Sequence, residues 1–193
     1  MSASATETVP STSAPTPSVL AVIVAADGAA RWLRGCLRAL GRQTYARLGV
    51  LAVDDGSTDG SYDLLLRALG TRRVLRNGER RGSSHAIREA LRQPAARGAD
   101  FVLLLDPHAS LDPDAVTRLV EAAVGIGVEQ VGIVGAKLVD LEEPRVLRDI
   151  GSSADRFGHP YSPLAPDEID QGQFDRVLEV LCVSASAMLV ARD

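Results

Sequence analysis

From Val19 to Val24 the chain is apolar without a break and rich in β-branched side chains, the pattern of a strand buried on both faces. Asp27 and Gly28 end that run. Trp32, Leu33, Cys36, Leu37 and Leu40 then recur at helical spacing, with Arg31, Arg34, Arg38 and Arg42 mostly on the other side, which predicts an amphipathic helix. Cys36 thereby reads as a core residue and not a reactive thiol. Leu48 to Val53 forms a second apolar run that ends in Asp54-Asp55-Gly56-Ser57-Thr58-Asp59-Gly60. A helix with Leu64, Leu65, Ala68 and Leu69 inside follows, then a short strand near Val74-Leu75 and a loop with Gly78 and Gly82. His85 to Ala96 reads as one helix, and Phe101 to Leu105 as a strong strand running into Asp106-Pro107-His108. Asp112-Pro113 predicts a helix start, with Asp as N-cap and Pro at the first helical position. A further strand is expected within 128–139. Strands alternating with helices predict an α/β domain with a mostly parallel central sheet and flanking helices.

Two stretches stand apart. Residues 1–18 are, apart from Met1 and Val9, Ser, Thr, Ala and Pro with Glu7 as the one charged side chain, a composition that cannot bury apolar surface and predicts a disordered tail. It lacks the basic start and apolar stretch of a secretory signal, so the domain, 19–193, is expected in the cytoplasm. Residues 140–176 are polar and Pro-rich, and a loop that long in a compact domain is usually functional or disordered. Residues 177–190 are apolar again.

Composition narrows the classes. Lys+Arg 21 against Asp+Glu 25 gives a net charge of -4, and aromatics are 4%, which argues against a dedicated nucleic-acid binder. Two cysteines make no disulfide framework and no metal-type spacing. Lys137 is the single lysine. The arginines between Arg67 and Arg97 form either a basic patch for phosphates or an anionic membrane, or a solvated face.

In open α/β sheets, ligands bind beyond the carboxyl ends of the strands, and two such ends here are acidic. One reading has Asp55 accepting hydrogen bonds from a nucleobase ring N–H or ribose hydroxyls, while Asp106 and His108 hold a divalent ion against a diphosphate. The plainer reading makes these residues turn and N-cap groups. That suffices for Asp59, and less well for Asp54 beside Asp55, since adjacent carboxylates repel.

Val53-Asp54-Asp55-Gly56-Ser57-Thr58-Asp59-Gly60-Ser61, preceded by Gln43-Thr44-Tyr45 and by Val22-Ile23-Val24, resembles the opening of family 2 glycosyltransferases. Leu104-Leu105-Asp106-Pro107-His108 with Leu111-Asp112-Pro113-Asp114-Ala115 resembles that family's metal-binding segment and the helix after it. Gly82-Ser83-Ser84-His85-Ala86 is similar to its G-x-x-x-A helix start, and 183–190 to the strand and turn before its acceptor half. The segment 167–173 is similar to large actinobacterial members. The resemblance implies a GT-A fold, a Rossmann-like nucleotide-diphospho-sugar transferase domain. It also implies an inverting transfer from a UDP- or GDP-type sugar donor to a glycan or lipid-linked hydroxyl in cell-envelope synthesis. Ala25, Asp27, Asp54, Asp55, Gly82 and Asp106 would contact the nucleotide, and Asp106 and His108 would take the D-x-D metal role.

Three departures qualify this. The first loop, Ala25-Ala26-Asp27-Gly28, lacks the aromatic that stacks on the base. His108 replaces the second metal aspartate, which favours Mn²⁺ over Mg²⁺. The family's acidic base lies after the segment matched by 183–190, and the chain stops at Asp193, so the catalytic residue is unknown and a further part with membrane association is expected. His85 and His159 remain unassigned. The rival readings are a non-catalytic nucleotide-sugar-binding or interaction module and a nucleotidyltransferase; the latter lacks a Gly-rich basic loop after the first strand.

Overall fold

The unbroken apolar run at Val19 becomes an inner strand of a six-stranded sheet. The computed structural model describes residues 16–127 and 132–192. β1 (Val19–Ala25) pairs in parallel with β2 (Leu48–Asp55) on one side and with β4 (Phe101–Leu105) on the other. β3 (Val74–Asn77) extends the parallel part beyond β2. β10 (Ala187–Ala191) runs antiparallel beside β4, and β5 (Ile133–Gly135) antiparallel beside β10. The order is β3-β2-β1-β4-β10-β5, the mostly parallel sheet that the alternation predicts.

Strand alternation divides the core between the two faces. Val19, Ala21, Ile23 and Ala25 pack with Leu33, Cys36 and Leu40 of α1 (Ala30–Gly41), Leu65 of α2 (Ser61–Leu69), and Val116, Leu119 and Val120 of α5 (Ala115–Ile126). Each fully buried leucine contributes about 1.5–3 kcal/mol. Cys36 is buried as expected, and its thiol is pushed up to about 12, first by burial and then by the charge of Asp106. Leu20 and Val22 point the other way, onto Ala86 and Ala90 of α3 (Ser83–Leu91) and Ala96 of α4 (Pro94–Arg97).

Four expectations need correction. The helix read over His85 to Ala96 is two helices: Gln93 is extended (φ -68, ψ 148) because Pro94 follows it, and the proline ring excludes the helical region for the residue before it. α5 begins at Ala115, with Asp114 as N-cap and no side-chain cap of its own, so Asp112-Pro113 lies in the preceding turn. Ala68 is exposed, not inside. Pro17 and Ser18 belong to the folded body: the Ser18 N–H and Oγ both donate to Asp100 Oδ2 (2.6 and 2.7 Å), and the Tyr45 hydroxyl donates to the Pro17 carbonyl (2.6 Å). Residues 1–15 of the expected tail, 128–131 of the expected strand, and Asp193 lie outside the described residues.

The chain from Leu138 onward carries two small hairpins, β6 (Leu138–Val139) with β7 (Leu147–Asp149), and β8 (Ser153–Ala154) with β9 (Pro160–Tyr161). Lys137 pairs with both Asp170 and Asp175 and pins this stretch to the sheet's end. Val177 and Leu181 are exposed, and the apolar ending becomes strand only from Ala187. Among the described residues no helix is long and apolar enough to cross a membrane.

Candidate functional site

Register brings the predicted site residues to one edge. Ala25 lies opposite Asp54, Ile23 opposite Leu105, and Asp55 opposite Asn77, so β1 to β4 end together and Asp106 follows directly on β4. This is the carboxyl edge where open α/β sheets bind ligands.

The two adjacent aspartates of β2 point to opposite faces, which separates their charges. Asp55 lies on the α3 side. Its Oδ1 accepts from Asn77 Nδ2 (2.6 Å) and the Arg81 N–H (3.0 Å), and its Oδ2 from the Gly82 N–H (2.7 Å). Burial alone raises its pKa, but these three donors and the charge of Arg80 outweigh burial and hold it below the usual carboxylate range. An ionised carboxylate offers about four acceptor sites, so Asp55 retains one. Gly56 makes this loop possible: at φ +71, a Cβ there would sit 2.6 Å from Arg80 N and Glu79 C. Asp54, fully buried on the other face, accepts from the Ser57 hydroxyl. Arg76 Nε is 3.4 Å from Asp54 Oδ2, outside hydrogen-bonding geometry, and that oxygen has no hydrogen-bond partner among the described residues. Burial raises the Asp54 pKa, and the Ser57 bonds offset it only in part.

Asp27 and Asp59 clip the first two loops together reciprocally. Asp27 Oδ1 accepts from the Thr58 N–H (2.7 Å) and hydroxyl (3.1 Å). Asp59 Oδ2 accepts from the N–H groups of Gly28 (2.7 Å) and Ala30 (3.3 Å), and its Oδ1 from the Ser61 N–H (3.0 Å) and hydroxyl (2.6 Å). Asp59 is thus a capping residue, as expected, yet it serves the starts of two helices, α1 and α2. Ala25 has its side chain buried in the core.

At the end of β4, Asp106 Oδ1 receives both the His108 N–H (2.8 Å) and the imidazole Nδ1 (2.5 Å). The ring of Trp32 lies 5.6 Å from that imidazole, and Arg31 stacks 4.7 Å over the indole. The imidazole is therefore held between a carboxylate and an indole. Asp106 Oδ2 and His108 Nε2 carry no hydrogen bond among the described residues, and both side chains are open to solvent (44% and 56% exposed). Among the described residues no three His, Cys, Asp or Glu side chains converge. A carboxylate and an imidazole are ligand types that suit a borderline divalent ion taking its remaining ligands from a diphosphate and water. They do not make a closed protein cage, and both can reach one ion only when the imidazole leaves its Nδ1 bond to Asp106 Oδ1.

Spacing alone does not reveal two residues that build this edge. Asn77 orients Asp55, and its only advance signal is a polar residue at the end of a strand. Gln43 caps α5 from afar: Oε1 accepts from the Val116 N–H (3.1 Å) and Nε2 donates to the Asp112 carbonyl (2.6 Å). Thr44 adds N–H and hydroxyl bonds to the Pro113 carbonyl (2.8 and 3.1 Å). The Gln43-Thr44 pair therefore fixes the loop that carries Asp106 and His108. His159, left unassigned by sequence, pairs with Asp155 at 3.0 Å in the β8–β9 hairpin.

Residues 21–177 match the family model for glycosyl transferase family 2. The chain belongs to that family. This family 2 glycosyltransferase domain is similar in structure to a mannosyltransferase from Pyrobaculum calidifontis, in complex with GDP-Man and Mn²⁺, at 26% identity and TM-score 0.53. The match covers 67% of this chain and 39% of that one. TarS of S. aureus has the same fold, at 17% identity and TM-score 0.53, over 72% of this chain and 24% of TarS. Comparison with curated proteins finds no match. The domain thus spans well under half the length of either solved relative.

Proposed function

We propose that this domain binds the nucleotide-diphospho-sugar donor of an inverting glycosyltransferase at the carboxyl edge of β1 to β4. The observation that carries the proposal is the open Asp106–His108 pair beside the loop that Asp55 organises. Support also comes from the mannosyltransferase relative, which binds GDP-Man with Mn²⁺. Asp55 holds the Arg80–Gly82 turn and keeps one acceptor site for a base N–H. Asp106 and His108 would hold a divalent ion, Mn²⁺ ahead of Mg²⁺, with the imidazole turned from its present bond to Asp106 Oδ1, because in that bonded pose the free Nε2 faces away from the carboxylate. A bound divalent ion supplies positive charge to the departing nucleoside diphosphate. The acceptor is a glycan or lipid-linked hydroxyl of the cell envelope, met at the inner face of the membrane, and no residue here is assigned to take its proton.

The test is calorimetric titration of UDP and GDP with and without Mn²⁺, on the wild type and on Asp55→Ala and His108→Ala. Binding that requires Mn²⁺ and falls in both variants supports the donor site and selects the base. Trp32 is the only tryptophan, so Mn²⁺ quenching of its emission reads occupancy at His108 independently. A folded protein that binds neither nucleotide is instead the non-catalytic module.

A further inference from the structure

The arginines separate by face. In the run from Arg67 to Arg97 three of the nine lie against an acid, Arg76 against Asp54, Arg81 against Glu79 and Arg92 against Glu89, and Glu79 and Glu89 stand within the run itself. The outward side of α1 is different. Arg31, Arg34, Arg38 and Arg42 follow one another at helical spacing, all are exposed, and α1 contains no acidic residue. Arg67 of the neighbouring α2 completes the set across an open groove of about 340 Å³ whose floor is Leu37 and Leu64. None of these five has a carboxylate within 4.0 Å among the described residues; Asp63, the one acid of α2, pairs with none of them. The opposing charge is placed elsewhere, with ten acidic residues against four arginines over 140–179. A chain of net charge -4 thus presents one helix face that is purely cationic, with leucine between the guanidinium groups.

We propose that this α1–α2 face docks on an anionic lipid bilayer. Unpaired arginines around an apolar floor suit phosphate headgroups above acyl chains, since guanidinium groups bind phosphate as a two-pronged donor. Polymer binding would instead call for stacking aromatics along the stripe, and the stripe's only aromatic, Trp32, packs against His108. The stripe starts at Arg31, which stacks on Trp32 beside His108, so a bilayer on this face lies next to the rim of the site. The inference concerns a surface outside the donor site and stands whether or not a nucleotide binds.

The experiment is co-sedimentation of the full chain with vesicles of phosphatidylglycerol and phosphatidylcholine or of phosphatidylcholine alone, at low and at about 0.5 M salt, where screening shortens the reach of charge to a few Å. The variant is Arg34→Glu/Arg38→Glu/Arg67→Glu. The control is Arg88→Glu/Arg97→Glu/Arg156→Glu, an identical change in net charge on other faces. An arginine near an anionic bilayer raises partitioning about fivefold, so losing three attractive charges alone removes about a hundredfold, and the three glutamates, which also repel the bilayer, are expected to lose at least that much. Binding only to the anionic vesicles, abolished by salt and by the variant but kept by the control, supports the proposal. It is overturned if the wild type ignores anionic vesicles, if variant and control lose binding equally, or if polyphosphate is bound and vesicles are not. Arg34→Gln and Arg38→Gln single variants, each expected to lose a few-fold, keep the test valid should the triple variant misfold by circular dichroism.

Discussion

Gly56→Ala isolates the contact on which the Asp55 loop depends. Two costs are combined at this position. A side chain at φ +71 is in the left-handed region, which costs about 1–2 kcal/mol. The added Cβ would also meet Arg80 N and Glu79 C at 2.6 Å, and those are backbone atoms that cannot rotate away. Forcing atoms into an occupied site costs about 1–3 kcal/mol, so the total is about 2–5 kcal/mol. In a domain of this size that lowers Tm by about 4–20 °C.

Two neighbours separate the terms. Gly28 has φ +94 with nothing within 4 Å of its Cβ position, so Gly28→Ala reports the backbone cost alone. Gly78 lies in the same loop as Arg80, with free space and no left-handed backbone, so Gly78→Ala is expected to change stability by less than about 0.5 kcal/mol. Thermal unfolding of the three variants gives the ranking Gly56 above Gly28 above Gly78. Hydrogen exchange gives the local consequence, faster exchange at the Arg81 and Gly82 amides in Gly56→Ala, because those N–H groups leave Asp55. A Gly56→Ala protein no less stable than Gly28→Ala, with its Arg81 and Gly82 amides still protected, would refute the reasoning.

Gln43→Ala removes an acceptor from the Val116 N–H and a donor from the Asp112 carbonyl, and is expected to cost about 1–3 kcal/mol; chemical denaturation measures it, and Mn²⁺ quenching of Trp32 should weaken with it because the Asp106 loop loosens. Hydrogen bonds hold the pKa values of Asp55 and Asp59 below the ordinary carboxylate value despite burial. Their contribution is therefore complete above about pH 4, the unfolded-state value, and is lost as pH falls through the lower folded values. Denaturation midpoints between pH 5 and pH 2 should fall less steeply in Asp59→Asn than in the wild type. Asp54, raised by burial, has the opposite sign: Asp54→Asn should gain stability relative to the wild type as pH rises from about 4, the unfolded-state value, to the higher folded value, and the gain should level off above it.

The fold was legible because its signals are local. Apolar runs mark β1, β2 and β4, and the helical period marks α1. The break at Pro94 is equally local, yet apolar spacing runs straight across it. The place of the site was legible too, since Asp54-Asp55 and Asp106-Pro107-His108 follow apolar strands directly. The roles were not, because a role depends on which N–H groups fold back onto a carboxylate. Gln43 shows the limit clearly: its partners Asp112 and Val116 lie about seventy residues away, and no spacing rule connects them. Asp114, beside the expected cap, instead pairs with Arg118 one turn later.

The acids of this edge divide by what their oxygens already do. Asp59 has both oxygens engaged by the starts of α1 and α2, Asp55 three of about four sites by its own loop, and Asp27 one oxygen by Thr58. Replacing any of them disorders a loop whether or not the acid touches a ligand, so lost nucleotide affinity in such a variant does not by itself identify a contact. Asp106 Oδ2 and His108 Nε2 are different, being solvent-open donor atoms with no hydrogen bond among the described residues. An effect of His108→Gln on Mn²⁺ affinity, with the Arg81 and Gly82 amides still protected, is therefore chemical evidence of ligation in a way that an effect of Asp55→Ala is not.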